Sequence, residues 1–439
     1  MTGHRRQHSN GVVLSSQETP PPSPLRSSYP FDPVTIHAWL INQGLETAKV
    51  ETIVGGFCDR LLDAGLPLAR GYAALATLHP LILAHGYTWA RAGRGVAQDQ
   101  FSHARAGANW NNSPFLYMLN NRILKLNRRL AGPQAVLDFP ALQEFSAQGL
   151  TDWLGLVYGF GWAAERMRGG QIGLVTSWAT DRPEGFTEPE LRVLEELMGT
   201  LALALKAATA YPIMQGLLDT YLGADAARHV LSGEVQLGTV QRMDAALFFA
   251  DLRGFTALSD QLGSEAVVGM LNQYLACIGE PVREQGGQIL KFMGDGVLAT
   301  FAIEGAGGQT CDKALEAALD ALDRVATLNR ERAAAGMPVL ELDIALHRGE
   351  VMYGNVGTAD RLDFTVVGPA VNEAARMEVL CKPLARHLVV SRSFRDATGE
   401  AAERLMSLGE HALRDVREAR EIFTVVRVPE NQVTPPQRG

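Results

Sequence analysis

The sequence predicts an α+β protein of two domains, and three observations carry that reading. Two short stretches, FFADLRGFT (Phe248 to Thr256) and LKFMGDGVLATF (Leu290 to Phe301), each read as a hydrophobic strand ending on an aspartate, Asp251 and Asp295. With the helical patterns between and after them they give the order β-α-β-β-α-β. That is a ferredoxin-like order, in which helices cover one face of an antiparallel sheet. All six tryptophans (Trp39, Trp89, Trp110, Trp153, Trp162, Trp178) lie in the first half of the chain. That asymmetry marks a separate N-terminal domain with its own core or pocket.

Composition narrows the classes. At 439 residues the chain is long enough for two or three domains with real cores. Its hydrophobic share of 46% and charged share of 20% are those of a soluble globular protein. A net charge of −8 argues against a nucleic-acid binder, whose footprint should be basic. Cys58, Cys277, Cys311 and Cys381 lie far apart, as reduced core residues of a cytoplasmic protein do, not as a zinc site or disulfide frame. The apolar run Leu197 to Met214 is expected to be too short and amphipathic to span a bilayer. Arg5 and Arg6 have no apolar run after them, so no secretory signal is expected.

The elements follow in order. Residues 1–34, with TPPPSP (Thr19 to Pro24), read as a disordered tail. Residues 35–210 form the Trp-rich domain, with strands at Leu154 to Phe160 and Gln171 to Trp178. Thr187 and Glu190 are spaced as a capping box, and Leu191, Leu194, Met198, Leu201 and Leu205 then share one helical face. This end, SWATDRPEGFTEPELRVLEELMGTLALAL, resembles the close of a GAF domain, an α/β small-ligand or dimerisation module of signalling proteins. The likeness covers Gly155 to Ala210. It implies a sensory domain, either with a small-molecule ligand or as a dimerising scaffold without one, and the tryptophans read first as core residues. Residues 211–240 read as a helical connector: Ile213, Leu217, Tyr221 and Leu222 line one stripe, Gly223 interrupts it, and a second helix, Ala224 to Leu231, ends at Gly233. It is either a transmitter between domains or a passive packed linker.

Residues 241–428 make the C-terminal domain, with 429–439 as a tail. A strand at Ala245 to Ala250 leads to a helix carrying Val267, Leu271, Tyr274 and Ile278 on one side. A hairpin, Gly287 to Phe301, turns at Met293 to Gly296. A helix rich in Ala and Leu (Asp312 to Ala335), a strand (Leu340 to His347) and a helix (Ala370 to Val379) follow.

The chemistry sits in this domain. Asp before Gly is ordinary turn chemistry for either stretch alone. Two carboxylates delivered from adjacent strand ends are what a pair of hard divalent cations needs, and such cations partner triphosphates. Gly254, Gly294 and Gly296 beside them let backbone and phosphate approach. A third motif, DFTVVGPAVNEAARME (Asp363 to Glu378), places Asn372 and Arg376 four apart on a helix, hence on one face. Arginine suits a phosphorus in transfer, since its charge is permanent and its donors form a fixed fork.

The three motifs, in this order, closely resemble the class III nucleotidyl cyclases, the adenylate and guanylate cyclase catalytic domains. The likeness spans about 190 residues and includes the closing run LGEHALRDVREAREIFTVV. It implies a palm-type fold and two Mg²⁺ or Mn²⁺ ions on Asp251 and Asp295, with the Leu252 carbonyl as a further ligand. It implies that Lys291 and Thr365 read the purine, that Gly254 and Phe255 line the substrate, that Asn372 orients the ribose, and that Arg376 stabilises charge on the α-phosphate. One ion lowers the pKa of the ribose 3′ hydroxyl while the other braces the leaving pyrophosphate. The family's sites form between two head-to-tail subunits, so a homodimer is implied, regulated by the N-terminal domain. Lys291 can only donate a hydrogen bond, which suits adenine N1 and favours ATP. Thr365 stands where adenylate cyclases usually carry Asp. Threonine can accept from adenine N6 or donate to guanine O6, as in the Thr-containing subgroup that includes bicarbonate-responsive members. Pro369 is a further departure, of little cost at a helix start. A guanylate or dual-specificity cyclase and a catalytically weak nucleotide-binding regulator are the alternatives. A diguanylate cyclase would want an acidic turn that Gly286-Gly287-Gln288-Ile289 does not supply.

Overall fold

A computed structural model describes residues 32–46, 48–103, 108–160, 173–305 and 307–426. The expected tails, apart from residues 32–34, lie outside the described residues, as do Trp162 and the start of the second N-terminal strand at Gln171. The chain divides into two units, 1–213 and 214–439.

The first unit opens with helices α1 (Val34–Leu45) and α2 (Val50–Asp63), so Val34, read as tail, is already helical. Strands β1 (Arg70–Ala76), β2 (Ile82–Ala90) and β3 (Gly95–Ser102) follow, then short helices α3 (Ala108–Asn111) and α4 (Pro114–Asn120). β4 (Lys125–Arg129), α5 (Pro140–Ala147), β5 (Asp152–Gly159), β6 (Gly173–Thr180) and most of α6 (Glu188–Leu222), which runs on past residue 213, complete it. The strands form one antiparallel sheet in the order β3-β2-β1-β6-β5-β4.

Alternation along β1 explains the layering. Ala73 and Leu75 join a core with Leu40, Phe57 and Leu61 of α1 and α2 and with Leu194, Met198 and Leu201 of α6. All five leucine and methionine positions expected on one face of α6 are buried. One half of the capping box forms: the Thr187 N–H donates to Glu190 Oε2 at 2.7 Å. Arg182 clamps the same carboxylate, which is held below its ordinary range by these partners against burial. Trp89, Trp153 and Trp178 are fully buried, as core residues should be.

The apolar run from Leu197 was expected to be too short for a bilayer, yet it belongs to a 35-residue helix, long and apolar enough to cross one by length and composition. This is weak grounds for a span, because a core helix passes the same test, and α6 buries one face, Leu191, Leu194, Met198, Leu201 and Leu205 among it, in the core of the N-terminal unit.

The second unit contains α7 (Ala224–Leu231), β7 (Val240–Arg253), α8 (Phe255–Ser259), α9 (Ser264–Glu284), β8 (Gln288–Met293), β9 (Gly296–Ala302) and α10 (Gly308–Ala334). Then come β10 (Glu341–Thr358), β11 (Arg361–Val367), α11 (Pro369–Glu378), β12 (Leu388–Ser391), α12 (Arg392–Arg395), a 3₁₀ turn (Glu400–Arg404), β13 (Leu405–His411) and β14 (Arg420–Val425). The sheet order is β13-β14-β12-β10-β7-β9-β8, with β11 paired to the far half of β10. Within it β10-β7-β9-β8 is the ferredoxin-like arrangement, antiparallel throughout.

Two expectations need correction. Helices were expected on one face only, but both faces are covered. Ala246, Phe248 and Ala250 of β7 pack with Tyr274 and Ile278 of α9 and Leu315 and Ala318 of α10. The intervening Ala245 and Leu247 pack with Ala226 of α7 and Ala370 and Ala374 of α11. The strand expected at Leu340 to His347 runs on to Thr358. Glycine inside a strand weakens it, and β10 carries Gly349, Gly354 and Gly357. At Gly349 a Cβ would sit 2.5 Å from that of Ala370, so glycine there admits α11 against the sheet.

A buried polar node ties α9, α10 and β10 together. Tyr274 Oη donates to Asn329 Oδ1 at 2.5 Å and accepts the Leu340 N–H at 2.9 Å, with all three residues buried. Tyr274→Phe orphans both partners and should cost about 1–3 kcal/mol. A urea midpoint unchanged from wild type would show the node to be dispensable.

Candidate active site

Asp251 lies two residues before the end of β7, opposite Asp343 of β10. Asp295 occupies the turn joining β8 to β9, where Met293 pairs with Gly296. Gly294 holds φ +69°, a left-handed value that favours glycine. A Cβ on Gly296 would come within 3.2 Å of Asp251 Oδ2, so the turn is seated directly on that carboxylate. Asp251 is pushed up to about 6, first by burial, then by the charges of Asp295 and Asp343. Among the described residues neither Asp251 nor Asp295 has an ion pair or a side-chain hydrogen bond.

Asp343 is different. It is buried but neutralised: Arg253 Nη2 donates to its Oδ2 at 2.5 Å and His387 Nδ1 sits 3.0 Å from its Oδ1, which holds the imidazole above its ordinary value. Asp251 and Asp295 are thus the uncompensated acids of the group. Hard cations prefer such oxygen donors, so this pair fits divalent ions. Among the described residues no cluster of three or more His, Cys, Asp or Glu side chains could hold a metal.

Glu378, the last residue of α11, was not singled out in the sequence although it closes the third motif. Its carboxyl is pushed up to about 7 by burial and then by Asp251 and Asp343, with Arg253 opposing. Asn372 and Arg376 share a helix face, whereas Glu378 stands two residues beyond Arg376, about 200° around the helix. Within one chain, therefore, the face of α11 turned to Asp251 is not the one that carries Asn372 and Arg376. Asn372 is exposed, and Arg376 reaches Asp415 at 3.6 Å.

The base-reading candidates sit on β8 and β11, which pair with different strands but meet through a side-chain contact. The β8–β9 register shifts between Ile289 and Lys291, and such a bulge re-aims the side chains beside it. Lys291 Nζ donates to Asp363 Oδ2 at 2.7 Å. Asp363 lies two residues before Thr365 on β11, hence on the same strand face. Asp363 was legible only as the first letter of its motif; a cross-strand partner for Lys291 needs the fold. Leu252 is buried, Gly254 holds φ +89° before α8, and Phe255 is half-buried against the α9–α10 core.

Residues 239–418 match the family model described as the adenylate and guanylate cyclase catalytic domain. That match lies within the C-terminal unit, which is similar to the catalytic domain of those enzymes. The chain is 35% identical to an adenylate cyclase of Anabaena cylindrica over 163 residues, 36% of this chain and 32% of that protein. Adenylate cyclase 1 of Rhizobium meliloti is 31% identical over 150 residues, 34% of this chain and 23% of the relative. The matched region is thus a third or less of these curated relatives' length. Among solved structures, the adenylyl cyclase CyaB from P. aeruginosa is 28% identical, with a TM-score of 0.39, covering 44% of this chain and 98% of that one.

Asp251 and Glu378 both have folded-state pKa values above their ordinary ones, so their ionisation favours unfolding. For Glu378 the penalty begins as pH rises past its ordinary 4.5 and is complete above about 7. In protein freed of divalent ions, Glu378→Gln should gain thermal stability over wild type as pH rises through that window. A gap between the two melting curves that is the same at both ends of the window would refute the acid coupling.

Proposed function

We propose that the protein converts ATP to 3′,5′-cyclic AMP and pyrophosphate at sites shared by two copies of the chain. The observation that carries this reading is the pair of unneutralised carboxylates, Asp251 and Asp295, on a cyclase domain whose Asn372 and Arg376 lie on the other face of α11. Lys291 and Asp295 are four residues apart, too close for both roles in one site, so they belong to two symmetry-related sites. The acids of one chain then meet Lys291, Asn372 and Arg376 of its partner.

Asp251, Asp295 and the Leu252 carbonyl would hold two Mg²⁺ or Mn²⁺ ions, which supply Lewis-acid activation of the ribose 3′ hydroxyl and neutralise the triphosphate. The chain's own groups do the positioning, which dominates phosphoryl transfer. Arg376 must exchange Asp415 for the α-phosphate; that pair is long and its carboxylate well exposed, so the exchange costs little. Asn372 holds the ribose in line. Lys291, oriented by Asp363, donates to adenine N1, and either Asp363 or Thr365 can accept from the adenine amino group. Thr365 can also donate to guanine O6, which keeps GTP as the second substrate to test.

The Trp-rich unit is proposed to regulate the dimer through residues 211–240, in a cytoplasmic protein. Purified protein with ATP or GTP and Mn²⁺, its product identified by mass spectrometry, tests the reaction. Asp295→Ala should reduce cyclic AMP formation to background; near wild-type turnover at saturating Mn²⁺ would remove the metal assignment. Mixing inactive Asp251→Ala with inactive Arg376→Ala should restore activity through one intact site per heterodimer. A mixture that stays dead although its subunits exchange would exclude the shared site.

A further inference from the structure

The first unit contains a cavity of about 850 Å³ between its sheet and helices α3 to α5. Protein interiors are close-packed with few voids larger than a water, and ligand sites run to roughly 300–1,000 Å³. The cavity takes the face of β1 that the core leaves free: Arg70, Tyr72, Ala74 and Ala76 line it, while Ala73 and Leu75 point into the core behind. Much of the remaining wall is aromatic, with Phe101, Trp110, Phe115 and Phe145 prominent.

Arg70 is the unusual member. Its guanidinium lies 4.8 Å from the Phe145 ring centroid and 5.4 Å from that of Tyr72. Among the described residues its one side-chain hydrogen bond, to Thr88 Oγ1, is 3.5 Å long, and it has no ion pair. Burial works against its charge, lowering its pKa, and Tyr72 and Asp99 beside it offset this only in part. A guanidinium taken from water and left against two aromatic faces is only partly compensated. Beside it the Tyr72 phenol, pushed up to about 12 by burial, stays neutral and keeps a hydroxyl donor.

The other charges in the wall set a limit on the ligand. Asp99 and Glu144 line the cavity but are exposed residues. They would repel a polyanion, such as a nucleoside polyphosphate, more than a single negative charge held deep beside Arg70. We propose that this cavity binds an organic monocarboxylate with an aromatic or similarly bulky apolar body, its carboxylate paired with Arg70 and its body among the aromatic side chains. The guanidinium fork matches a carboxylate in two-point geometry, and the apolar body supplies the burial. This site does not rest on the cyclase reading, and its test reads binding alone.

The test is calorimetric titration of the full chain with 4-phenylbutyrate and with its uncharged amide, 4-phenylbutanamide. Wild type should bind the acid about tenfold or more tightly than the amide, the scale of a hydrogen bond to a charged group. Arg70→Met should bring the two affinities together while the amide still binds. Ala74→Phe, which fills the cavity and leaves Arg70 in place, should lose both ligands. Equal affinity for acid and amide in wild type, no binding of the acid, or a preference that survives Arg70→Met would overturn the proposal. So would undiminished acid binding by Ala74→Phe, which decides the matter even if the Arg70 variant fails to fold.

Discussion

The antiparallel pairing of β7 with β10, unbroken from Val240–Gly354 to Arg253–Glu341, is the constraint on which the C-terminal unit depends. It fixes register at the centre of the sheet, and register decides which side chains face which layer. A slip of one residue would move Phe248 and Ala250 from the α9–α10 core to the α7–α11 face. It would also part Asp251 from Asp343. Every acid of the candidate site is placed by this register or by an element packed on it.

The site stores electrostatic tension that the fold bears. Asp343 can be buried because Arg253 and His387 neutralise it. Asp251 and Glu378 have no such partners and are raised instead, which marks them as functional candidates rather than structural ion pairs. The close seat of Gly296 on Asp251 brings the hairpin turn, and Asp295 with it, to the same spot. A divalent ion held there would relieve the repulsion that folding creates between Asp251 and its acidic neighbours.

Elsewhere the fold makes opposite use of its two sheet faces in the N-terminal unit. One face of β1 is filled by α1, α2 and α6, whereas the other borders a cavity with a poorly compensated arginine. The buried tryptophans belong chiefly to the packing: Trp89 donates to Asp59, and Trp178 meets Phe57 edge-on. Trp110 and Trp153 reach the cavity wall.

The sequence by itself determined the opening β-α-β-β-α-β order of the C-terminal unit, the Thr–Glu start of α6 and the candidate residues Asp251, Asp295, Lys291, Asn372 and Arg376. Those rest on local signals: period-two and period-3.6 hydrophobicity, a Thr–Glu cap, and motifs whose members lie within a few residues. Only tertiary structure decided the rest. Lys291 meets Asp363 across 72 positions of chain. Asp251 feels Asp343, and Glu378 feels both, through pairing and packing that no window of sequence contains. The length of β10 was hidden because its glycines look like breakers until α11 is seen to need the space at Gly349. Local propensity is written residue by residue, but burial, register and the charges that shift a pKa belong to pairs of residues distant in the chain, which only folding brings together.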